Sequence, residues 1–449
     1  MDIIKYVITA ECVTPLHIGN EVGSKEEVLI HPVDDKPFVQ ASSIAGAFRS
    51  YYENYGKKEN AKNLFGGMDE ENADTELIES RIRFEDGKFV EKSGGVYMEL
   101  RPHVSIDPET GSGSSSIVKG SLIKAGHIFN SEYIGAGAKI QFAFYVYGAE
   151  NEQEVEKILK AFHAGEILLG GQKSNGCGVC KIEKALQKHF NMKDPSDRKL
   201  WLKEDALEET EYDNITDHLS GADLEAYAYE FIVDATTEGK MLIKAIAVED
   251  YGDGASDAVN IKNARKEYVI PGSSLKGAVR NHMEQIAERL HQKTVIKDTF
   301  GSAGNGEDLG QSGNIIFRDT IIGDKEDNDR MPNDYRIHID KFTGGVMNGL
   351  LFSEKATAGN VKLHILVKDC NHPEKTSALL ILALRDLALG MYNLGSGYSI
   401  GRGFLNVKEI CINALKDQKH AVIRYVPAGK CDDPDQIITM CLRSLQEVE

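Results

Sequence analysis

Two stretches of the chain, FVQASSIAGAFR from Phe38 to Arg49 and VIPGSSLKGAVR from Val269 to Arg280, overlay at an offset of 231. The overlay pairs Ser42 and Ser43 with Ser273 and Ser274, Gly46 with Gly277, and Arg49 with Arg280. The match continues in order. LFGG near Phe65 pairs with TFGS near Phe300, RIRFED around Phe84 with NIIFRD around Phe317, and VSIDPETG (Val104–Gly111) with IHIDKFTG (Ile337–Gly344). GGQKSNGCG (170–178) pairs with GSGYSIGRG (395–403). Self-similarity kept in order along a whole chain marks a duplicated domain, and 449 residues are more than one hydrophobic core usually serves. The copies run over 1–187 and 225–415. Between them, 188–224 is charged, holds the single tryptophan, Trp201, and reads as a linker with a short helix. Residues 416–449 form a C-terminal extension with one possible strand (AVIRYV) and one possible helix (DPDQIITMCLRSLQE), to which the sequence assigns no role.

Each copy opens on a period-2 run, YVITAEC around Ile8 and YAYEFIVDA around Phe231, the pattern of a strand with one buried face. A long loop leads to an amphipathic helix. With Ser274 as its cap, Leu275, Val279, Met283, Ile286 and Leu290 fall on one face, and Ser43 with Ile44, Phe48 and Tyr52 repeats the arrangement. Strands around Ile82 or Ile315 and around Val104 or Ile337 come next, then KIQFAFYVY (139–147) or VKLHILV (361–367). A second helix, VEKILKAF or ALLILALRDLAL, precedes a glycine-rich loop and a closing strand. That order is the split βαβ plan: an α+β, ferredoxin-like (RRM-like) domain, here in tandem, with helices on one sheet face. RNA-binding modules and unrelated enzymes both use it, so the loops must decide function.

Bulk properties exclude some classes. The longest apolar run, ALLILALRDLALG, is broken by Arg385 and Asp386, so no membrane span is expected. The start, MDIIKYVITAEC, lacks a basic segment before an apolar core, which points to a cytoplasmic protein. Seven cysteines, an odd and sparse set, fit reduced thiols better than a disulfide framework. The net charge of −18 counts against generic nucleic-acid affinity. RNA binding would therefore require cations gathered on one surface. Arg49, Arg101 and Lys173 in the first copy, and Lys276, Arg280, Arg336, Lys341 and Arg402 in the second, are predicted to form such a basic groove.

In VIPGSSLKGAVR, a helix start with two hydroxyls stands beside Lys276 and Arg280, an arrangement suited to phosphate. A capped helix with solvated basic residues is the plainer reading of the same letters. Gly395, Gly397, Gly401 and Gly403 in LGSGYSIGRGFLNV permit close backbone approach or sharp turns. That loop follows a helix and precedes a strand, so it is not a dinucleotide fingerprint. Cys177 and Cys180 make a lone CxxC with no second pair at metal spacing, and thiols beside a strand are the simpler account, with no protein metal site expected. His17 is a candidate for RNA contact or proton transfer, against the commoner packed histidine.

Taken together, the hydrophobic-Pro-Gly-Ser-Ser-Leu-Lys-Gly helix start, the FG pair, ID-x-x-TGG with LLFSEKATAG, the late glycine loop, and PLHIG (Pro15–Gly19) in the first copy resemble the RAMP superfamily of CRISPR systems. Within it the chain looks like the backbone subunits of type III effector complexes, as a type III-D-like fusion of two backbone domains. The resemblance covers nearly all of 226–410 and, more loosely, 4–185. In the second copy KMLIK stands where PLHIG stands in the first. The resemblance implies an antiviral RNA-binding subunit whose partners are a guide RNA (crRNA), a complementary target RNA and other subunits of the complex, with no membrane. Ser42, Ser43, Ser273, Ser274, Gly395, Gly397 and Gly401 join the eight cations as its RNA-binding residues. Asp107 with Thr110, and Asp340 with Thr343, would start two "thumb" hairpins that wedge between bases, an Asx turn being the plain role of each aspartate. The family pattern also places a catalytic aspartate in the loop before the Pro-Gly-Ser-Ser turn. Asp257 lies there, fourteen residues ahead of Pro271, while the first copy departs from the pattern with Glu26, beside Glu27. Such a carboxylate would hold hydrated Mg²⁺ or Mn²⁺ near the target RNA, or help activate a ribose 2′-hydroxyl for in-line attack. Two other functions stay open: a non-catalytic guide-RNA scaffold, and a phosphate- or nucleotide-binding enzyme on duplicated ferredoxin-like domains.

Overall fold

The computed structural model describes residues 2–19, 27–56, 58–68, 77–90, 98–104, 106, 115–117, 124–126, 128–204, 207–221, 225–245, 256–302, 310–426 and 429–446. They form two compact units: 1–99, 132–173 and 177–226 in the first, and 100–131, 174–176 and 227–449 in the second.

In the first unit, the strands β1 (Asp2–Cys12), β2 (Phe38–Val39), β3 (Ile82–Phe84), β4 (Gly87–Val90), β5 (Lys139–Tyr147), β6 (Cys180–Asn191) and β7 (Asp213–Asn214) make one sheet, ordered β7-β6-β1-β5-β4-β2 with β3 also paired to β5. The helices α1 (Ala41–Tyr55) and α2 (Glu152–Ala164) supply its cover. Alternate residues of β1, namely Ile4, Tyr6, Ile8, Ala10 and Cys12, enter the same core as Ile44, Phe48 and Tyr52 of α1 and Ile158 and Phe162 of α2. The core is aromatic at its centre, with Phe48 edge-on to Phe142 and Tyr6 stacked on Phe144. Such rings bury the largest apolar areas available to a side chain, on the order of 2–3 kcal/mol each.

In the second unit, β8 (Tyr227–Glu238), β10 (Ile315–Phe317), β13 (Asn360–Lys368), β14 (Phe404–Ala414), β15 (Lys419–Arg424) and β16 (Lys430–Asp432) run in the order β10-β13-β8-β14-β15-β16. A separate three-stranded sheet joins β9 (Ala258–Val259), β12 (Val346–Lys355) and β11 (Asp334–Ile339). The helices α4 (Gly272–Arg289) and α5 (Pro373–Ala388) flank the main strands in sequence, with α6 (Ile437–Ser444) at the end. Within each unit the four principal strands follow the antiparallel ferredoxin-like order, fourth-first-third-second. The likeness reaches fine detail. A register shift falls between Thr9 and Ala10 in one opening strand and between Asp234 and Ala235 in the other, an offset of 225.

The helix expected from Ser274 to Leu290 begins earlier and ends sooner. Leu275, Val279 and Met283 are buried, but Leu290 is 44% exposed and lies beyond the last turn. The segment read as a linker is built into the first unit. There β7 pairs with β6, α3 (Pro195–Trp201) packs on β6 through Trp201 and Phe190, and Ile215 and Leu219 are buried in the core. Apolar anchors spaced through a charged segment explain why composition alone suggested a linker. The C-terminal extension likewise belongs to the second unit, where Ile437, Ile438 and Cys441 are core residues. Among the described residues, no helix is long and apolar enough to cross a membrane.

Candidate nucleic-acid interface

In the first unit, the start of α1 and the glycine loop enclose a cavity of about 440 Å³ lined by Gln40, Ser42, Ser43, Gly46, Gly170, Gly171 and Lys173, among others. The loop is fixed by backbone bonds: the Gly171 N–H donates to the His17 carbonyl at 2.8 Å and the Gly178 N–H to that of Pro15 at 2.9 Å. At Gly170, φ is +71°, and a Cβ would lie 2.2 Å from the His17 carbonyl oxygen, so only glycine fits. The second unit repeats these bonds at an offset of 225, with Ser396 N–H on Leu242 at 2.8 Å and Gly403 N–H on Lys240 at 3.0 Å. There Gly395 faces the Leu242 carbonyl just as closely, a Cβ meeting it at 2.6 Å.

His17 is the packed histidine of the plain reading. It is buried, its Nδ1–H donates to the Glu132 carbonyl at 2.8 Å, and its ring lies against Tyr133. Around Lys173, burial withholds water from the ammonium and lowers its pKa. Lys276 is similar: burial first, then the charges of Arg280 and Lys368, push its pKa down, while its Nζ donates to Ser174 Oγ at 2.7 Å.

The helix starts differ from the sequence expectation. Neither Ser43 nor Ser274 caps its helix; both stand inside the first turn. Carboxylates from loops that follow distant strands do the capping, Asp86 Oδ1 accepting from Ala41 N–H at 2.7 Å and Asp319 Oδ1 from Gly272 N–H at 2.8 Å. The first amide of each helix is therefore already occupied, and the serine side chains with their neighbouring lysines are what remains for an anion. Asp86 and Asp319 are the shared aspartates of RFED and FRD, a signal present in the repeat itself.

Two expected surface cations are interior. Arg101 is buried and holds Asp319 Oδ2 at 2.7 Å. Arg402 is buried between Glu354, at 2.5 Å, and Asp334, at 2.7 Å. Arg336 also reaches Glu354, and Lys240 reaches Asp334 at 2.5 Å. Burial works to raise the Glu354 pKa, but Arg402 and Arg336 more than offset it, so the carboxylate stays ionised. Arg49 and Arg280 pair with Glu53 and Glu284, each at 2.7 Å, one turn along their helices. Arg101 and Arg402 are thus withdrawn from any basic surface, and Arg49 and Arg280 each carry a counter-charge.

β11 and β12 form a hairpin whose turn is the ID-x-x-TG signal. Asp340 Oδ1 accepts from Phe342 N–H at 2.7 Å and Thr343 N–H at 2.9 Å, Thr343 Oγ1 accepts from Gly345 N–H at 3.3 Å, and Gly344 takes φ +66°. Asp340 and Thr343 therefore close the hairpin at its tip, where the sequence reading had them start it. An Asx turn reverses the chain at once, so the strands lie on either side of it. Lys341 and Phe342 are exposed at that tip, Phe342 completely. Tyr335, Ile337, Ile339, Val346 and Leu351 are at least half exposed along the strands. Apolar side chains bared in this way mark a contact surface.

Asp257 is exposed next to this hairpin. It precedes β9, which runs parallel to β12, and its Oδ2 accepts from the Ser353 backbone N–H at 2.6 Å and from the Ser353 hydroxyl at 3.1 Å. Those donors, the backbone N–H first, hold its carboxyl below the usual carboxylate range. Ser353 stands inside LLFSEKATAG, one of the stretches that carry the family resemblance, but nothing in the sequence pairs it with Asp257. Glu26, Asp107 and Thr110 lie outside the described residues. Cys177 and Cys180 are buried thiols, Cys180 Sγ lying 3.9 Å from Cys12 Sγ. Among the described residues, no three His, Cys, Asp or Glu side chains are grouped to hold a metal ion.

No curated protein matches this chain. Among solved structures, a chain in the cryo-EM structure of the type III-B Cmr-beta bound to cognate target RNA is similar, with 18% identity and a TM-score of 0.31 over 41% of this chain and 60% of that one. The chain thus spans less than two thirds of that relative's length. The RAMP superfamily model matches residues 9–181 and again 251–406. Each matched region takes in the helix start and the glycine loop that the two units share, and on that double match the chain belongs to the RAMP superfamily.

Proposed function

We propose that the chain is a guide-RNA-binding backbone subunit of a type III CRISPR effector complex, a type III-D-like tandem of two backbone domains, whose second unit cleaves complementary target RNA at Asp257. The observation that carries this reading is the exposed Asp257 carboxylate fastened to the apolar hairpin through Ser353. A hairpin with bare aromatic and aliphatic side chains suits insertion between bases, and the attached acid then stands beside the opened step.

Gly46 and Gly277 add support. Both sit within helices, where glycine costs roughly 0.5–1 kcal/mol against alanine. A Cβ at either would meet nothing within 4 Å, so the chain's own packing does not require them. A polynucleotide backbone lying against each helix start would.

Because its pKa is depressed, Asp257 is a weak proton acceptor at neutral pH and acts better as a fixed negative charge and hydrogen-bond acceptor. In the proposed step it accepts a hydrogen bond from the ribose 2′-hydroxyl and orients it in line with the adjacent phosphorus. The 2′-hydroxyl gives its proton to solvent as the O2′–P bond forms and the P–O5′ bond breaks, and O5′ takes a proton from water, leaving a 2′,3′-cyclic phosphate and a 5′-hydroxyl. Both Ser353 donors engage Oδ2, and the Asp257 carboxylate would hold a hydrated Mg²⁺ or Mn²⁺ through the oxygen left outside that clamp. Among the described residues no three metal ligands are grouped at Asp257, and magnesium, which keeps most of its waters, would need only this carboxylate and the RNA. That ion would supply positive charge at the phosphate.

The lack of a metal-holding group at Asp257 among the described residues favours the second reading, a scaffold that holds guide RNA without cutting. Incubating the assembled complex with complementary RNA and Mg²⁺ separates the two. A cut lost in Asp257→Ala supports catalysis; no cut by the unaltered complex supports the scaffold. Cytoplasmic location follows from either reading. Purification without any bound nucleic acid, seen as low absorbance at 260 nm, would return attention to the 440 Å³ cavity as a nucleotide pocket.

A further inference from the structure

The sheet face of the first unit opposite its main core carries side chains that the guide-RNA reading leaves unused. Ile3, Tyr145 and Phe190 form a separate buried cluster there. The Arg83 guanidinium carbon is 4.5 Å from the centre of the Tyr145 ring, and the Lys5 ammonium is 5.5 Å from it. Aromatic rings flanked by cations on a sheet are the chemistry that holds single-stranded RNA, ring to base and charge to phosphate.

In this structure the chain itself fills that place. The Trp201 indole, at the end of α3, stands edge-on to both rings, its centre 5.4 Å from Tyr145 and 5.2 Å from Phe190. Glu204 Oε2 lies 3.2 Å from Lys5 Nζ. The indole occupies the position of a base and the carboxylate that of a phosphate. The fit of the acid is imperfect. Among the described residues, Glu204 Oε2 is buried without a hydrogen bond and faces the charge of Lys5. A phosphate, with more acceptor oxygens, would satisfy Lys5 better.

We propose that Lys5, Arg83, Tyr145 and Phe190 form a second binding platform, for single-stranded RNA, and that Pro195–Glu204 is its displaceable cover. The proposal does not rest on Asp257 or on guide RNA. Trp201 is the only tryptophan, so its fluorescence in the full chain reports the cover directly. Single-stranded oligouridylate is expected to shift Trp201 emission to longer wavelength and open it to acrylamide quenching, and duplex RNA of equal length is not. The double variant Trp201→Ala/Glu204→Gln is expected to bind oligouridylate about tenfold more tightly, the effect of one uncovered stacking site. Adding Tyr145→Leu should remove that gain. Emission unchanged at saturating oligouridylate, a gain that survives Tyr145→Leu, or a shift produced only by a protein subunit would each overturn the proposal. Should the double variant fail to fold, the wild-type emission decides alone. Lys173→Ala and Lys276→Ala report the guide-RNA reading separately, because they should weaken RNA binding and leave the emission shift intact.

Discussion

Ser353 donates twice to one oxygen of Asp257, from its backbone N–H at 2.6 Å and from its hydroxyl at 3.1 Å, so the loop acid and the hairpin strand move together. Asp257→Asn should lower target-RNA cleavage by about 100-fold or more while guide binding is retained. Ser353→Ala removes one of the donors that depress the carboxyl's pKa, so the acid limb of the cleavage rate should move to higher pH. Rate–pH profiles of the assembled complex check both.

Glu354 and Asp334 concern stability. Burial would raise both carboxyls, yet Arg402 and Arg336 lower Glu354, and Lys240 and Arg402 lower Asp334. A carboxyl depressed in the folded state contributes stability above its unfolded pKa, about 4, and loses it as pH falls through the folded value. The denaturant midpoint should therefore drop below about pH 4, and drop less in Arg402→Ala, where the shifts shrink. At neutral pH, Glu354→Ala leaves the buried Arg402 with Asp334 as its remaining partner and should cost about 1–3 kcal/mol, less than a fully unpaired buried charge. Arg336→Ala removes a side chain 44% exposed and should cost less than about 1 kcal/mol.

Gly46→Ala and Gly277→Ala should raise the thermal midpoint of the free chain, each adding about 0.5–1 kcal/mol, since no neighbour obstructs the new methyl. The same variants should weaken RNA binding. Stability and affinity moving together would show that the helix starts do not face RNA.

Phe342, wholly exposed, should be replaceable by alanine with no change in unfolding midpoint. RNA affinity should nonetheless fall by about 1–3 kcal/mol, the worth of one stacked base, read by filter binding or fluorescence anisotropy.

What the sequence disclosed was periodic or repeated. The alternation of β1 and β8 and the offset pairs laid out two ferredoxin-like units, down to matched glycine loops. What it concealed was pairing across long loops. The partner of the Gly272 amide is Asp319, 47 residues on, and the acids that inter Arg402 lie 48 and 68 residues away. A window around Ser274 or Arg402 contains neither, so one was read as a cap and the other as a surface cation. Asp257 stands out through the family resemblance alone, whereas its contact with Ser353, 96 residues on, depends on β9 and β12 lying side by side.

The bare hairpin has a colloidal consequence. β11 is an edge strand among the described residues, and it displays Tyr335, Ile337 and Ile339, a combination that invites copies of the free chain to self-associate. The net charge of −18 opposes this by mutual repulsion over roughly 10 Å at 0.1 M salt. An acidic total that looked like an obstacle to RNA would then keep the unassembled subunit dispersed, and salt concentrated enough to mute the repulsion should precipitate it first.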